Sequence, residues 1–122
     1  MRSNVIPILK KEPDFVILHV GTNDASNYKS REIHNKLLSL KMFITNKNEK
    51  CQVILSEPVI RTDNGISSLK VSKLINSLSD LNIPIISNRN IFSKHLGSRG
   101  LHLNRHGTVR LAMNLISEIG RL

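Results

Sequence analysis

The segment Asp14-Phe-Val-Ile-Leu-His-Val20 constrains the fold most. It is apolar and β-branched without strict alternation, which suits a strand covered on both faces rather than one half open to water. Gln52-Val-Ile-Leu-Ser56 repeats the pattern and is stopped by Glu57-Pro58. Ile83-Pro-Ile-Ile-Ser87 is a weaker third run, in which Pro84 removes a ladder donor and points to a strand start or an edge. Between and after these runs the apolar period changes to that of helices. Ser30 to about Asn46 carries Ile33, Leu37, Leu40, Lys41 and Ile44 at three- and four-residue spacing, with an N-cap expected near Ser30. Ser67 to about Leu81 carries Leu69, Val71, Leu74, Ile75 and Leu78. Asn104 to about Ile119 carries Val109, Leu111, Ala112, Leu115, Ile116 and Ile119, with Asn104 as its cap. Ser3 to Lys11 reads as the tail of a further helix, broken by Pro7 and ended before Pro13.

Strands that alternate with helices imply a parallel sheet with helices on both faces, a three-layer α/β/α arrangement. No repeat, low-complexity stretch or linker divides the 122 residues, so residues 1–122 read as a single domain unit. An open parallel sheet places its functional loops at the carboxyl ends of its strands. Gly21-Thr-Asn-Asp24 leaves the first strand there, and Gly100-Leu-His-Leu-Asn104 follows the third. Both chemically suggestive segments therefore fall on one edge of the sheet.

In the first segment, Gly21 allows a sharp turn and close approach of a ligand to the backbone. Asn23 supplies a neutral amide donor suited to a developing oxyanion. Asp24 is expected to hydrogen-bond the loop's own amides and hold Asn23. In the second, His102 is a general base candidate at neutral pH, provided that a partner fixes its tautomer. Each segment alone also fits a bland reading, an Asn-Asp turn and an exposed loop histidine.

Considered together, His19-Val-Gly-Thr-Asn-Asp24 and Gly100-Leu-His-Leu-Asn-Arg-His-Gly107 resemble the third and fifth sequence blocks of SGNH hydrolases, the GDSL-like lipase and acylhydrolase group. Lys11 to Asp24 and Gly100 to Ile116 are similar in detail to the esterase domains of animal retrotransposons. The resemblance implies a flavodoxin-like parallel sheet and ester hydrolysis without a cofactor. It also implies Asn23 in the oxyanion hole, His102 as base, and Gly21 and Asp24 as loop support. Two departures matter. The family's nucleophile serine, in a Gly-Asp-Ser block on an earlier strand, has no counterpart in this sequence, and Ser26, Ser56 and Ser98 lack the strand-to-helix setting it needs. The position three residues before the histidine, an aspartate in the family, is Arg99. A cation there opposes the imidazolium that acyl transfer requires. The expectation is a partial domain, lacking the family's first strands, that is catalytically inactive, with an open strand edge at Phe15–Val20 for a partner strand or self-association.

The charge adds a second line. Eighteen basic against nine acidic residues leave +9, with Arg89, Lys94, Arg99, Arg105, Arg110 and Arg121 in the last third. This fits either a solvated basic face or a footprint for RNA or another anionic partner. Cys51 stands alone, which excludes a disulfide framework and a cysteine-based metal site and leaves it a small apolar role. No signal-peptide pattern, membrane-length apolar run or Asn-x-Ser/Thr sequon occurs. An intracellular, cytoplasmic setting with no membrane contact is the corresponding expectation.

Overall fold

A computed structural model describes residues 10–121, with Asn23 described by its backbone alone. The expected helix tail Ser3–Lys11 lies outside the described residues, apart from Lys10 and Lys11, which sit in a turn. Three strands form one parallel sheet: β1 (Phe15–His19), β2 (Gln52–Ser56) and β3 (Ile85–Ile86), in the order β1-β2-β3. Between β1 and β2 lie α1 (Thr22–Asn27) and α2 (Ser30–Lys47). Between β2 and β3 lie α3 (Gly65–Ser77) and a 3-10 turn (Leu78–Leu81). A second 3-10 turn (Ser93–His95) precedes α4 (Arg105–Ile119).

The layering follows from side-chain alternation. Val16, Val53 and Leu55 share one sheet face and pack with Ile33, Leu37, Leu40 and Ile44 of α2 and with Val71, Leu74 and Ile75 of α3. Ile54 and Ser56 point to the other face, where Leu111 of α4 packs beside Val59, Ile91 and Leu96. The expected α/β/α parallel architecture is therefore borne out.

The differences have local causes. The first strand is not buried along its length: Val16 is, but Phe15, Ile17 and Leu18 are only half-buried. Among the described residues β1 pairs with β2 alone, so it is an edge strand. The third strand shrinks to Ile85–Ile86, because Pro84 contributes a carbonyl, which accepts from Leu55 N at 2.8 Å, but has no N–H to offer. The helix expected to be capped near Ser30 begins at Ser30, with Lys29 in the cap position and no side-chain cap bond. The next begins two residues earlier than Ser67, because Asn64 Oδ1 accepts from Ile66 N and Ser67 N. Asn104 caps α4 as expected, accepting from Gly107 N at 2.9 Å. The expected apolar face of α4 is wider than the surface offered to it: Leu111 and Leu115 are half-buried, whereas Val109 and Ile116 are 53% and 67% exposed. Leu69 of α3 is likewise exposed.

Candidate functional site: two blocks joined at the sheet's carboxyl edge

The chain leaves β1 with Val20 N donating to Ser56 O at 3.0 Å, still in register with β2. What the sequence suggests as a loop is then turned at once into α1. Gly21 is its N-cap residue, at φ −74° and ψ 145°. That conformation is open to any residue, so the sharp turn expected of Gly21 is not its reason. Among the described residues nothing lies within 4 Å of where a Cβ would stand, which leaves room there for an approaching group. Asn23 is the second residue of α1. Asp24 is exposed in the first turn, and its carboxylate has no hydrogen-bond partner among the described residues. Thr22 Oγ1 is buried with no partner there either, a state that costs roughly 1–3 kcal/mol if left unmet.

Short as it is, α1 is held by packing. Ala25 and Ser26 are buried, and α1 packs on α3. The strongest tie is Arg61, in the segment leaving β2. Its Nη1 donates to Ser26 Oγ at 2.9 Å, while Nε and Nη2 donate to Asp63 Oδ1 and Oδ2, both at 2.6 Å. This forked pair holds the Asp63 carboxyl below the usual carboxylate range, the Arg61 hydrogen bonds being the main cause. The next residue reaches the other block: Thr62 N donates to Gly100 O at 2.7 Å. Gly100 is required for that contact. It has φ +69°, and a Cβ there would run into Thr62 Oγ1 and stand 3.0 Å from Asp63 N.

Residues 97–103 form a tight loop. Gly97 N donates to His102 O at 2.7 Å, Gly100 N donates to Gly97 O at 2.9 Å, and Leu96 bridges Leu103. His102 and Arg99 are both exposed on it. No carboxylate bonds His102 among the described residues. A Cβ on Gly107 would collide with His95 O and crowd Leu103, so the first turn of α4 lies directly on the short turn before it. One segment, Arg61-Thr-Asp63, thus touches both the Asn23 helix and the His102 loop.

A second polar network lies beside it and was not anticipated. His19 Nδ1 stands 2.8 Å from Ser56 Oγ, and Asn88 Nδ2 donates to the same oxygen at 2.9 Å. Glu57, buried, accepts from Asn88 N and Ser87 Oγ. Asn114 of α4 donates to Asn88 Oδ1 at 3.0 Å. Although His19 is exposed at the sheet edge, the chain around its ring desolvates it and holds its pKa below 6.5. A serine–histidine contact of this length is what an activated nucleophile needs. Ser56, however, is 0% exposed, and no ester carbonyl can reach its Oγ. Ser26 is buried against Arg61, and Ser98 is exposed on the loop. Glu57-Pro58 was legible in the sequence only as a strand stop; an acid followed by proline at the carboxyl end of a buried strand was the one signal for this network.

Among the described residues no group of three or more His, Cys, Asp or Glu is arranged to hold a metal, and no helix is long and apolar enough to cross a membrane. A cleft of about 670 Å³ runs along α2 beside Asn35, Ser39 and Phe43 and is lined by none of the candidate site residues.

No protein-family model matches the sequence, and no curated protein is significantly similar to it. The architecture, in contrast, is shared with solved esterases and lipases. The chain is similar to a carbohydrate esterase family 3 protein from Talaromyces cellulolyticus, with TM-score 0.78 and 18% identity over 98% of this chain and 64% of that one. It is similar to a lipase/acylhydrolase from Enterococcus faecalis, with TM-score 0.72 and 24% identity over 94% of this chain and 66% of that one. A GDSL-like lipase from Bacteroides thetaiotaomicron gives TM-score 0.73 and 17% identity over 96% and 67%. The chain shares the fold of these esterases and lipases and spans roughly two-thirds of their length.

Proposed function

We propose that this chain carries the oxyanion and base half of an SGNH-type ester hydrolase site and does not by itself turn over esters. In the reaction such a site performs, a serine oxygen attacks the acyl carbonyl and a histidine takes its proton. Preorganised N–H donors then stabilise the oxyanion. Asn23, with Gly21 and Asp24 beside it, is assigned to the oxyanion side and His102 to proton transfer. The observation that carries this reading is the Arg61-Thr-Asp63 bridge, which ties α1 to the His102 loop at the carboxyl edge of the sheet.

Two features argue for inactivity. Ser26 and Ser56 are buried and engaged, which leaves no described serine both activated and reachable. Arg99 occupies the position of the carboxylate that would orient His102, and loss of such a carboxylate alone lowers turnover by about four orders of magnitude in a serine protease. The open edge of β1 and the unmet hydroxyl of Thr22 favour a further strand, from elsewhere in a longer chain or from a partner, as the element that completes this half-site. The sequence resemblance favours a retrotransposon-type origin.

The test is hydrolysis of p-nitrophenyl acetate and butyrate by purified protein. The expected outcome is a rate equal to the buffer background. Turnover above background that vanishes in His102→Ala would overturn the claim of inactivity.

A second reading, a non-catalytic module for RNA or another anionic partner, is favoured by one observation. From Asn82 to Ser117 the chain has no acidic residue, yet it carries Arg89, Lys94, Arg99, Arg105 and Arg110.

A further inference from the structure

The beginning of α4 and the short turn before it enclose a cleft of about 630 Å³. Lys94, Arg105 and Arg110 form its charged wall beside His106, and Val109 and Met113 form an apolar floor. Val109 and Met113 are more than half exposed. None of these three arginines and lysines has an acidic partner: the ion pairs among the described residues are Arg61–Asp63, Arg89–Glu57 and Arg121–Glu118.

Stability does not account for this arrangement. Arg105 occupies the first turn of α4, where a cation opposes the helix dipole. Lys94, Arg105 and Arg110 gather three like charges at one cleft, and these repel one another. The uncompensated field reaches His95, which is 5% exposed. Burial first, and then the charges of Lys94, Arg110 and His106, hold its pKa below 6.5. His95 Nδ1 accepts from Phe92 N at 2.8 Å, so the neutral ring carries its proton on Nε2. Phe92 is 58% exposed and lies over His95, ring centroids 6.0 Å apart and planes inclined by 29°. An anion in the cleft would offset the repulsion. The apolar floor and the free aromatic face suit a ligand that brings flat rings with its anionic groups.

We infer that this cleft binds single-stranded RNA, its phosphates against Lys94, Arg105 and Arg110 and a base stacked on Phe92. The inference rests on the second reading above and gives it a location. Phosphate contacts supply most of the affinity and make it fall with salt, while stacking adds a contribution tolerant of sequence.

The test is fluorescence anisotropy with a labelled oligouridylate, beside inorganic phosphate and phosphatidylserine vesicles. Binding is expected to weaken steadily with salt, with inorganic phosphate competing only weakly. Arg105→Glu/Arg110→Glu is expected to lose about tenfold or more in affinity. Lys70→Glu/Lys73→Glu on α3 makes the same charge change elsewhere and should stay within about twofold. Phe92→Ala is expected to lose about fivefold. Lys94→Gln lies outside α4 and serves as an independent variant, and far-ultraviolet circular dichroism checks that each variant folds. Equal losses in the two double variants would overturn the inference, because binding would then follow net charge alone. So would absent RNA binding, or tighter binding to the vesicles than to RNA. Each of these results is independent of the ester assay, so failure of the cleft and failure of the half-site reading are separately visible.

Discussion

The surroundings of His19 and of His95 both hold the ring's pKa below its ordinary value. Desolvation is the first cause in each case, joined at His95 by the neighbouring cations. Each folded pKa lies below the ordinary 6.5, so as pH falls the unfolded chain takes up protons before the folded one. Stability is therefore complete above the ordinary value and declines as pH drops through it toward the folded pKa. The urea midpoint is expected to fall between about pH 7.5 and about pH 5.5, and His19→Gln should remove part of that slope. A midpoint that is flat or rises across this interval would show the assignment wrong. Asp63 acts lower: its carboxyl is held below 3.8 by Arg61, so its contribution persists above that value and is lost only in stronger acid.

Among the elements, the strands and long helices were legible because each repeats one physical signal many times. β2 is a run of buried aliphatics, and Ile33, Leu37, Leu40 and Ile44 recur on the inner face of α2. α1 was not legible, since Gly21-Thr-Asn-Asp is built from turn-forming residues and six residues give no period. Its helix depends on tertiary contacts made by Ala25 and Ser26. The candidate site was legible in part for the same reason: motif and chain order located Asn23 and His102, but the residue that joins their segments is a lone arginine, and a pairing across 35 positions leaves no local trace. Arg61→Ala is expected to lower the melting temperature by about 5 °C, since it removes the hydrogen bond to Ser26 Oγ and the fork to Asp63. Arg61→Lys should restore little, because an ammonium cannot bridge a carboxylate and a hydroxyl with one planar fork. A wild-type melting temperature in Arg61→Ala would remove Arg61 from the role of bridge.

At the scale of the whole molecule, the ladder of β1 decides whether this sheet is finished. Gln52 N donates to Asp14 O and Val20 N to Ser56 O. In a parallel ladder the bonds of one strand to one neighbour recur at every second residue. The amides of Val16, Leu18 and Val20 therefore point into β2, and those of Phe15, Ile17 and His19 point to the edge that no described residue pairs. An edge left unpaired among the described residues, with half-buried Phe15 and Ile17 on it, is a template for another strand, and a charge of +9 opposes pairing between two copies. Amide hydrogen exchange reads the two sets separately. In dilute protein the first set is expected to be protected and the second to exchange nearly as fast as a loop. Addition of a strand–helix segment that completes the sheet should slow Phe15, Ile17 and His19 to the rate of their neighbours and raise the melting temperature. If Ile17 and His19 are already slow in the dilute monomer, the edge is filled from within the chain, and the half-site needs no further strand.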